Sequence, residues 1–204
     1  MAVEQSRAKR LREAMQRPEV LVMPGGFSPF HARMAERVGF EAFFMAGSQV
    51  GTYLFGVPDV GLLGMRDMAD AAHRLVAGCS LPIFADADTG YGSAINVYYT
   101  VQEYIRAGVA GLHVEDQEAP KKSGIYAGRR CISVEEAVGK YRAAVAARDE
   151  LDPEVVIVAR CDFVGSEGGT FEGAIERALT YVREAKVDAI WMNALRTRDE
   201  IREV

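Results

Sequence analysis

The sequence predicts an α/β fold, a (β/α) barrel of the TIM type forming one domain over residues 1–204. Three observations carry this. Six short apolar runs alternate with longer segments of helical periodicity, the pattern of βα units around a parallel sheet. Polar residues gather where the apolar runs end, and a closed barrel builds its site on that face from many strands. No Gly-x-Gly-x-x-Gly follows the first run, which weakens a dinucleotide-binding open sheet.

The runs are VLVMPGG (20–26), AFFMAGS (42–48), LPIFADAD (81–88), GLHVED (111–116), VVIVARCD (155–162) and AIWMNA (189–194). Each has the length of a fully buried strand, and most are rich in Val, Ile and Phe. Between them, FHARMAERVGF reads as a helix closed by Gly39. SAINVYYTVQEYIRAGV opens on Ser93 as N-cap and closes at Gly108. SVEEAVGKYRAAVAARDEL opens on Ser133 with Glu136 at capping-box spacing, and TFEGAIERALTYVREAKV repeats the pattern. A full barrel needs eight strands and about 250 residues. Two further βα units are therefore expected in the native protein, with the C-terminal part truncated after the helix start RTRDEIREV.

Composition narrows the function. The chain is 49% hydrophobic and 26% charged with a net charge of -5, and it has no long basic run, which excludes nucleic acid as a partner. No stretch reaches the roughly 18 apolar residues of a membrane span, and the charged N-terminus lacks the apolar core of a signal peptide. Cys79, Cys131 and Cys161 are widely spaced, so neither a disulfide framework nor a zinc site is expected; the reading is cytoplasmic.

Chemistry concentrates at the run ends. Asp86 and Asp88 are two apart, which on a strand puts both on one face. Two like charges there need compensation, and oxygen-only ligation favours Mg²⁺ or Mn²⁺; a helix cap plus a solvated acid is the plainer alternative. Glu115 shares a face with His113 while Asp116 points away. Glu115 joins the metal acids or pairs with a nearby lysine, and His113 reads as a structural hydrogen-bonding residue inside the barrel. Val156, Val158, Arg160 and Asp162 share a face, and Arg160 at its end either grips a carboxylate or phosphate or serves an internal ion pair. Asp59, in GVPD, is a turn residue or a base.

Together FFMAGSQVGTYLFGVPDVG, PIFADADTGYG, GLHVEDQEAPKKSGIYAGR, VVIVARCD and FEGAIERALTYVREAKVDAI resemble the isocitrate lyase/phosphoenolpyruvate mutase superfamily, in family order across nearly the whole chain. The resemblance implies an eight-stranded (β/α) barrel in homodimers or homotetramers. It implies Asp86 and Asp88 as Mg²⁺ acids with Glu115 acting through water, and Asp59 as the active-site aspartate. It also implies Arg160 as the carboxylate-binding arginine and Ala46, Gly47 and Ser48 as the loop holding a 2-oxo acid. Family members break or make a bond beside a 2-oxo or 2-hydroxy carboxylate through a metal-bound enolate. The catalytic candidates are Asp59, Lys122, Ser123 and Arg160; Asp88 and Asn193 join the substrate-binding candidates.

Two departures shape the expectation. Family lyases carry a cysteine and a histidine where this chain has Ser123 and Ile125, and a glutamate where it has Asn193. An alcohol is a far weaker acid than a thiol of pKa about 8.5, so the proton on the enolate carbon comes from elsewhere. The first expectation is a Mg²⁺-dependent carbon–carbon lyase, of isocitrate/methylisocitrate lyase or oxaloacetate decarboxylase type. The alternatives are a phosphoenolpyruvate or phosphonopyruvate mutase or hydrolase acting on a P–C bond, and a non-catalytic barrel that binds a carboxylate.

Overall fold

A computed structural model of the chain describes residues 5–123 and 128–204. All six expected strands are present: β1 Gly25–Gly26, β2 Phe43–Met45, β3 Ile83–Asp86, β4 Gly111–Glu115, β5 Val156–Cys161 and β6 Ala189–Met192. They form one parallel sheet in the order β1-β2-β3-β4-β5-β6. Right-handed crossovers between sequential parallel neighbours put every connecting helix on the same face, which curls the sheet into a barrel. Six of the eight strands implied by the resemblance are therefore in place.

The helices are α1 Arg7–Met15, α2 Pro29–Val38, α3 Gly47–Gln49, α4 Met65–Gly78, α5 Ala94–Ala107, α6 Val134–Leu151, α7 Phe171–Thr180 and α8 Arg198–Glu203. The expected ends hold: Gly39 and Gly108 close α2 and α5 with positive φ, and Ser133 Oγ accepts the Glu136 N–H at 3.1 Å. Helices α1 and α4 were not among the expected elements. None of the described helices is long and apolar enough to cross a membrane.

Strand alternation separates two cores. Side chains such as Ile83, Ala85, Leu112, Val114, Ile157 and Ala159 face the helices. Phe84, Val156, Val158 and Trp191 face the barrel interior, where Leu11 of α1 joins them. Arg12 fastens α1 beneath β5 and β6 through the carbonyls of Glu154 and Val155 (both 3.1 Å) and Asp188 at 2.7 Å. The charged N-terminal segment thus closes one mouth of the barrel and leaves the other for chemistry.

The ladder of β1 is shorter than the expected 20–26. Leu21 and Met23 do pack inward while Val20 and Val22 are exposed, so the alternation is real. Pro24 has no N–H to give, and among the described residues β1 is an edge strand paired only with β2.

Candidate active site

The strand register sets the floor of the site. Asp86 lies beside His113, Glu115 beside Arg160, and Arg160 beside Trp191. All of these side chains face the open mouth, each at or near the C-terminal end of its strand.

Asp86 is held from three sides. Its Oδ2 accepts the Gly47 N–H at 3.2 Å, and its Oδ1 accepts the Asp88 N–H at 2.9 Å with His113 Nε2 3.1 Å away. A Cβ on residue 47 would come within 2.6 Å of Asp86 Oδ2, so glycine is what lets the backbone approach. The Tyr104 hydroxyl donates to the Asp86 carbonyl at 3.0 Å. Burial alone would raise the Asp86 carboxyl, but His113, Lys121 and Arg160 hold it well below the usual carboxylate range.

Asp88 corrects the strand reading. Strand β3 ends at Asp86, and Asp88 takes a left-handed φ of 48°, so the two acids do not share a strand face. They still converge, because the turn folds the Asp88 N–H back onto Asp86. Burial and the neighbouring Asp86 charge, opposed by Lys121, push Asp88 up to about 6. Glu115, fully buried, is pushed up to about 8 by burial against the pull of Arg160 and Lys121.

The lysine inside the site is Lys121. Its Nζ lies 2.8 Å from Asp59 Oδ1 and 3.9 Å from Glu115 Oε1, and it also contacts Asp88 Oδ1. Burial opposes its charge, yet the surrounding carboxylates hold the ammonium well above its usual range. Lys122, the catalytic candidate, is exposed, and its ammonium donates to the Gly128 carbonyl at 2.5 Å. Consecutive loop residues point to opposite sides, and only Lys121 turns inward. Ser123 is half-buried with no side-chain hydrogen bond among the described residues, and Ile125 lies outside them.

Arg160 is held on several sides. Its Nε is 2.9 Å from Asp162 Oδ2, its Nη2 donates to Asp162 Oδ1 at 3.1 Å, and its Nη1 is 3.1 Å from Glu115 Oε2. The guanidinium carbon lies 5.1 Å from the Trp191 ring centroid. Both sequence alternatives for Arg160 therefore remain physical: it serves an internal ion pair and also lines the mouth. Asn193 donates its amide to Asp162, while Ala46 and Gly47 are buried and Ser48 is exposed above them.

Asp116 points away from the mouth, as expected. It accepts from the Asp162 N–H (2.8 Å), the Tyr181 hydroxyl (2.7 Å) and Arg177 Nε (3.1 Å), tying β4 and β5 to the α7 segment. Sequence reasoning missed Lys121, Arg129 and the central place of Asp162. A buried arginine in a loop carries no periodic signal; only the excess of acids over inward cations hinted at further partners.

The donor set fits a hard divalent ion. Asp88 Oδ1 and both Glu115 oxygens are buried and accept no hydrogen bond among the described residues. Asp59, Asp86, Asp88, Glu115 and Asp162 face Lys121, Arg129 and Arg160, which leaves a formal charge of two negatives. Oxygen-only donors suit Mg²⁺ or Mn²⁺. Among the described residues, no three acidic, His or Cys groups already converge at ligand spacing; the Lys121 ammonium stands among the carboxylates instead. A cavity of about 370 Å³ opens beside Asp88 and Lys121, walled by Leu62, Leu63, Tyr91 and Pro120.

A family model described as phosphoenolpyruvate phosphomutase matches residues 11–204. The chain is 40% identical over 197 residues to 2,3-dimethylmalate lyase of Eubacterium barkeri, covering 97% of this chain and 66% of that protein. It superposes on oxaloacetate acetylhydrolase in complex with 3,3-difluorooxalacetate with a TM-score of 0.91 and 35% identity, over 97% of this chain and 67% of that one. It also superposes on phosphonopyruvate hydrolase in complex with oxalate and Mg²⁺, with a TM-score of 0.85 and 30% identity, over 98% and 67%. The chain thus spans about two thirds of the length of these proteins.

Proposed function

This chain belongs to the phosphoenolpyruvate mutase/isocitrate lyase superfamily, and we propose that it is a Mg²⁺-dependent lyase cleaving a carbon–carbon bond beside a 2-oxo or 2-hydroxy carboxylate. The observation that carries this is the row of Asp86, Asp88, Glu115 and Arg160 at one barrel mouth, with Asp59 and Lys121 beside it. Asp86, Asp88 and Glu115 would hold the ion. When bound, the ion supplies Lewis acidity toward the substrate oxygens.

The chain's own residues do the rest. Arg160 takes the substrate carboxylate, and Ser48, exposed above Gly47, offers a further hydroxyl. Charge that develops on an enolate oxygen is stabilised by Arg160 and by the Lys121 ammonium, both held permanently cationic by the acids around them. Asp59, against Lys121, is placed to assist proton movement. Ser123 does not supply the proton at the enolate carbon, because a hydroxyl is too weak an acid. The exposed stripe Phe30, Met34 and Val38 along α2 supports work as a homodimer or homotetramer, as the resemblance implies.

The test is a substrate panel with Mg²⁺: substituted 2-hydroxy diacids, oxaloacetate and phosphonopyruvate, following 2-oxo acid and inorganic phosphate. Cleavage of a diacid or oxaloacetate, lost in Asp86→Ala, is expected. The second reading, P–C chemistry, is favoured by the match to the phosphomutase family and by the likeness to phosphonopyruvate hydrolase. Phosphate release from phosphonopyruvate with no turnover of the others establishes it instead.

A further inference from the structure

We infer that Asp162 is the positioning residue for Arg160: it fixes the one edge of the guanidinium that a substrate carboxylate can reach. The inference rests on the carboxylate-binding reading of the site.

Arg160 has a side edge, an end edge and two faces to offer. Asp162 takes the side edge with two contacts, at 2.9 and 3.1 Å. Trp191 lies against one face, and Glu115 engages Nη1. Nη1 and Nη2 each keep a second N–H, and an incoming carboxylate that takes one from each forms a bidentate pair.

Asp162 is itself immobilised from several elements. It is fully buried, and its backbone N–H is held by Asp116 at 2.8 Å. Its Oδ1 also takes Arg129 Nη1 at 3.2 Å and the Asn193 amide. Arg129 is in turn clamped on the Gly165 carbonyl at 3.1 Å, where any side chain on residue 165 would collide with the guanidinium. Three segments of the chain therefore converge on one carboxylate whose remaining work is to aim Arg160.

Without that carboxylate, Glu115 is the anionic partner left to Arg160 among the described residues, and the guanidinium turns toward it, so an incoming ligand must compete with Glu115. Asn193 belongs to the same unit. Its amide is spent on Asp162, so it acts through the acid and not on the ligand.

A double-mutant cycle tests this, with oxalate as the probe, Mg²⁺ present, and affinity read by isothermal titration of the full chain. Asp162→Asn, nearly isosteric, is expected to weaken oxalate about tenfold. In an Arg160→Lys background the same change is expected to shift affinity less than about twofold, because the group being aimed is gone. Equal losses in both backgrounds overturn the inference while leaving the site reading intact. Failure of the unaltered protein to bind oxalate sinks the site reading and this inference with it. Asn193→Ala removes one donor from a half-buried position and keeps the question open to refutation if Asp162→Asn does not fold. Its smaller loss is expected to vanish in Arg160→Lys, and a loss that persists there shows Asn193 meeting the ligand directly and contradicts the proposal.

Discussion

Charge balance makes metal binding a proton-release reaction. The carboxylates at the mouth outnumber the permanent cations by two, and burial resists leaving that charge uncompensated. In the metal-free protein Asp88 sits at about 6 and Glu115 at about 8, so protons supply part of the compensation. The pair therefore holds more protons at pH 6 than at pH 9, where both carboxyls are largely ionised. A divalent ion needs both carboxylates ionised and expels these protons. The assay is titration of MgCl₂ into the full chain in buffers of differing protonation enthalpy. The observed enthalpy plotted against buffer enthalpy has a slope equal to the protons released. A clear slope at pH 6 to 7 that falls toward zero at pH 9 is expected, with affinity rising as pH rises. A zero slope at both pH 6 and pH 7 refutes the charge argument.

The same raised values set a stability profile. A carboxyl raised on folding favours the folded state least once pH exceeds its folded value, so the metal-free protein loses stability between about pH 4.5 and pH 8. Asp86, held low, acts only below the ordinary carboxylate range and does not offset this. Each 1 kcal/mol moves the melting temperature by about 2–4 °C in a chain of this size, so Mg²⁺ should raise it more at pH 8 than at pH 5.5 in a thermal scan. Lys121→Met leaves three carboxylates facing one another and is expected to destabilise the metal-free protein by about 2 kcal/mol or more in urea, with Lys122→Met within about 0.5 kcal/mol. Equal effects would assign the wrong lysine to the site. Asp116→Ala strands Arg177 and Tyr181 and is expected to cost about 3–5 kcal/mol in the same assay; a loss under 1 kcal/mol contradicts the proposed tie between strands and α7. Gly139→Ala, in α6 with nothing within 4 Å of the added methyl, is expected to raise stability by about 0.5–1 kcal/mol.

The barrel was legible because strand burial writes itself into composition. Phe43–Met45, Ile83–Asp86 and Val156–Cys161 are apolar on both faces, and each closes on polar residues that reach the mouth. Strand parity put Glu115 on the face of His113 and Arg160 on that of Val156 and Val158, as the ladder has them. Parity failed for Asp88, because alternation was extended past the point where the backbone turns left-handed. The choice between Lys121 and Lys122 was also out of reach. Neither periodicity nor spacing orients a side chain in an irregular loop, and the deciding carboxylates lie more than sixty positions away at Asp59 and over thirty at Asp88. Arg129 and Asp162 meet across a similar separation, so their pairing is a product of β4 and β5 lying side by side and not of any local pattern.

The central claim is that these acids hold a divalent ion that in turn receives a carboxylate. Isothermal titration of oxalate into the full chain, with and without Mg²⁺, for the unaltered protein and for Asp86→Ala, tests it most directly. Saturable binding is expected only with Mg²⁺ present and is abolished by the substitution. Oxalate binding that is indifferent to both the ion and Asp86 would contradict it.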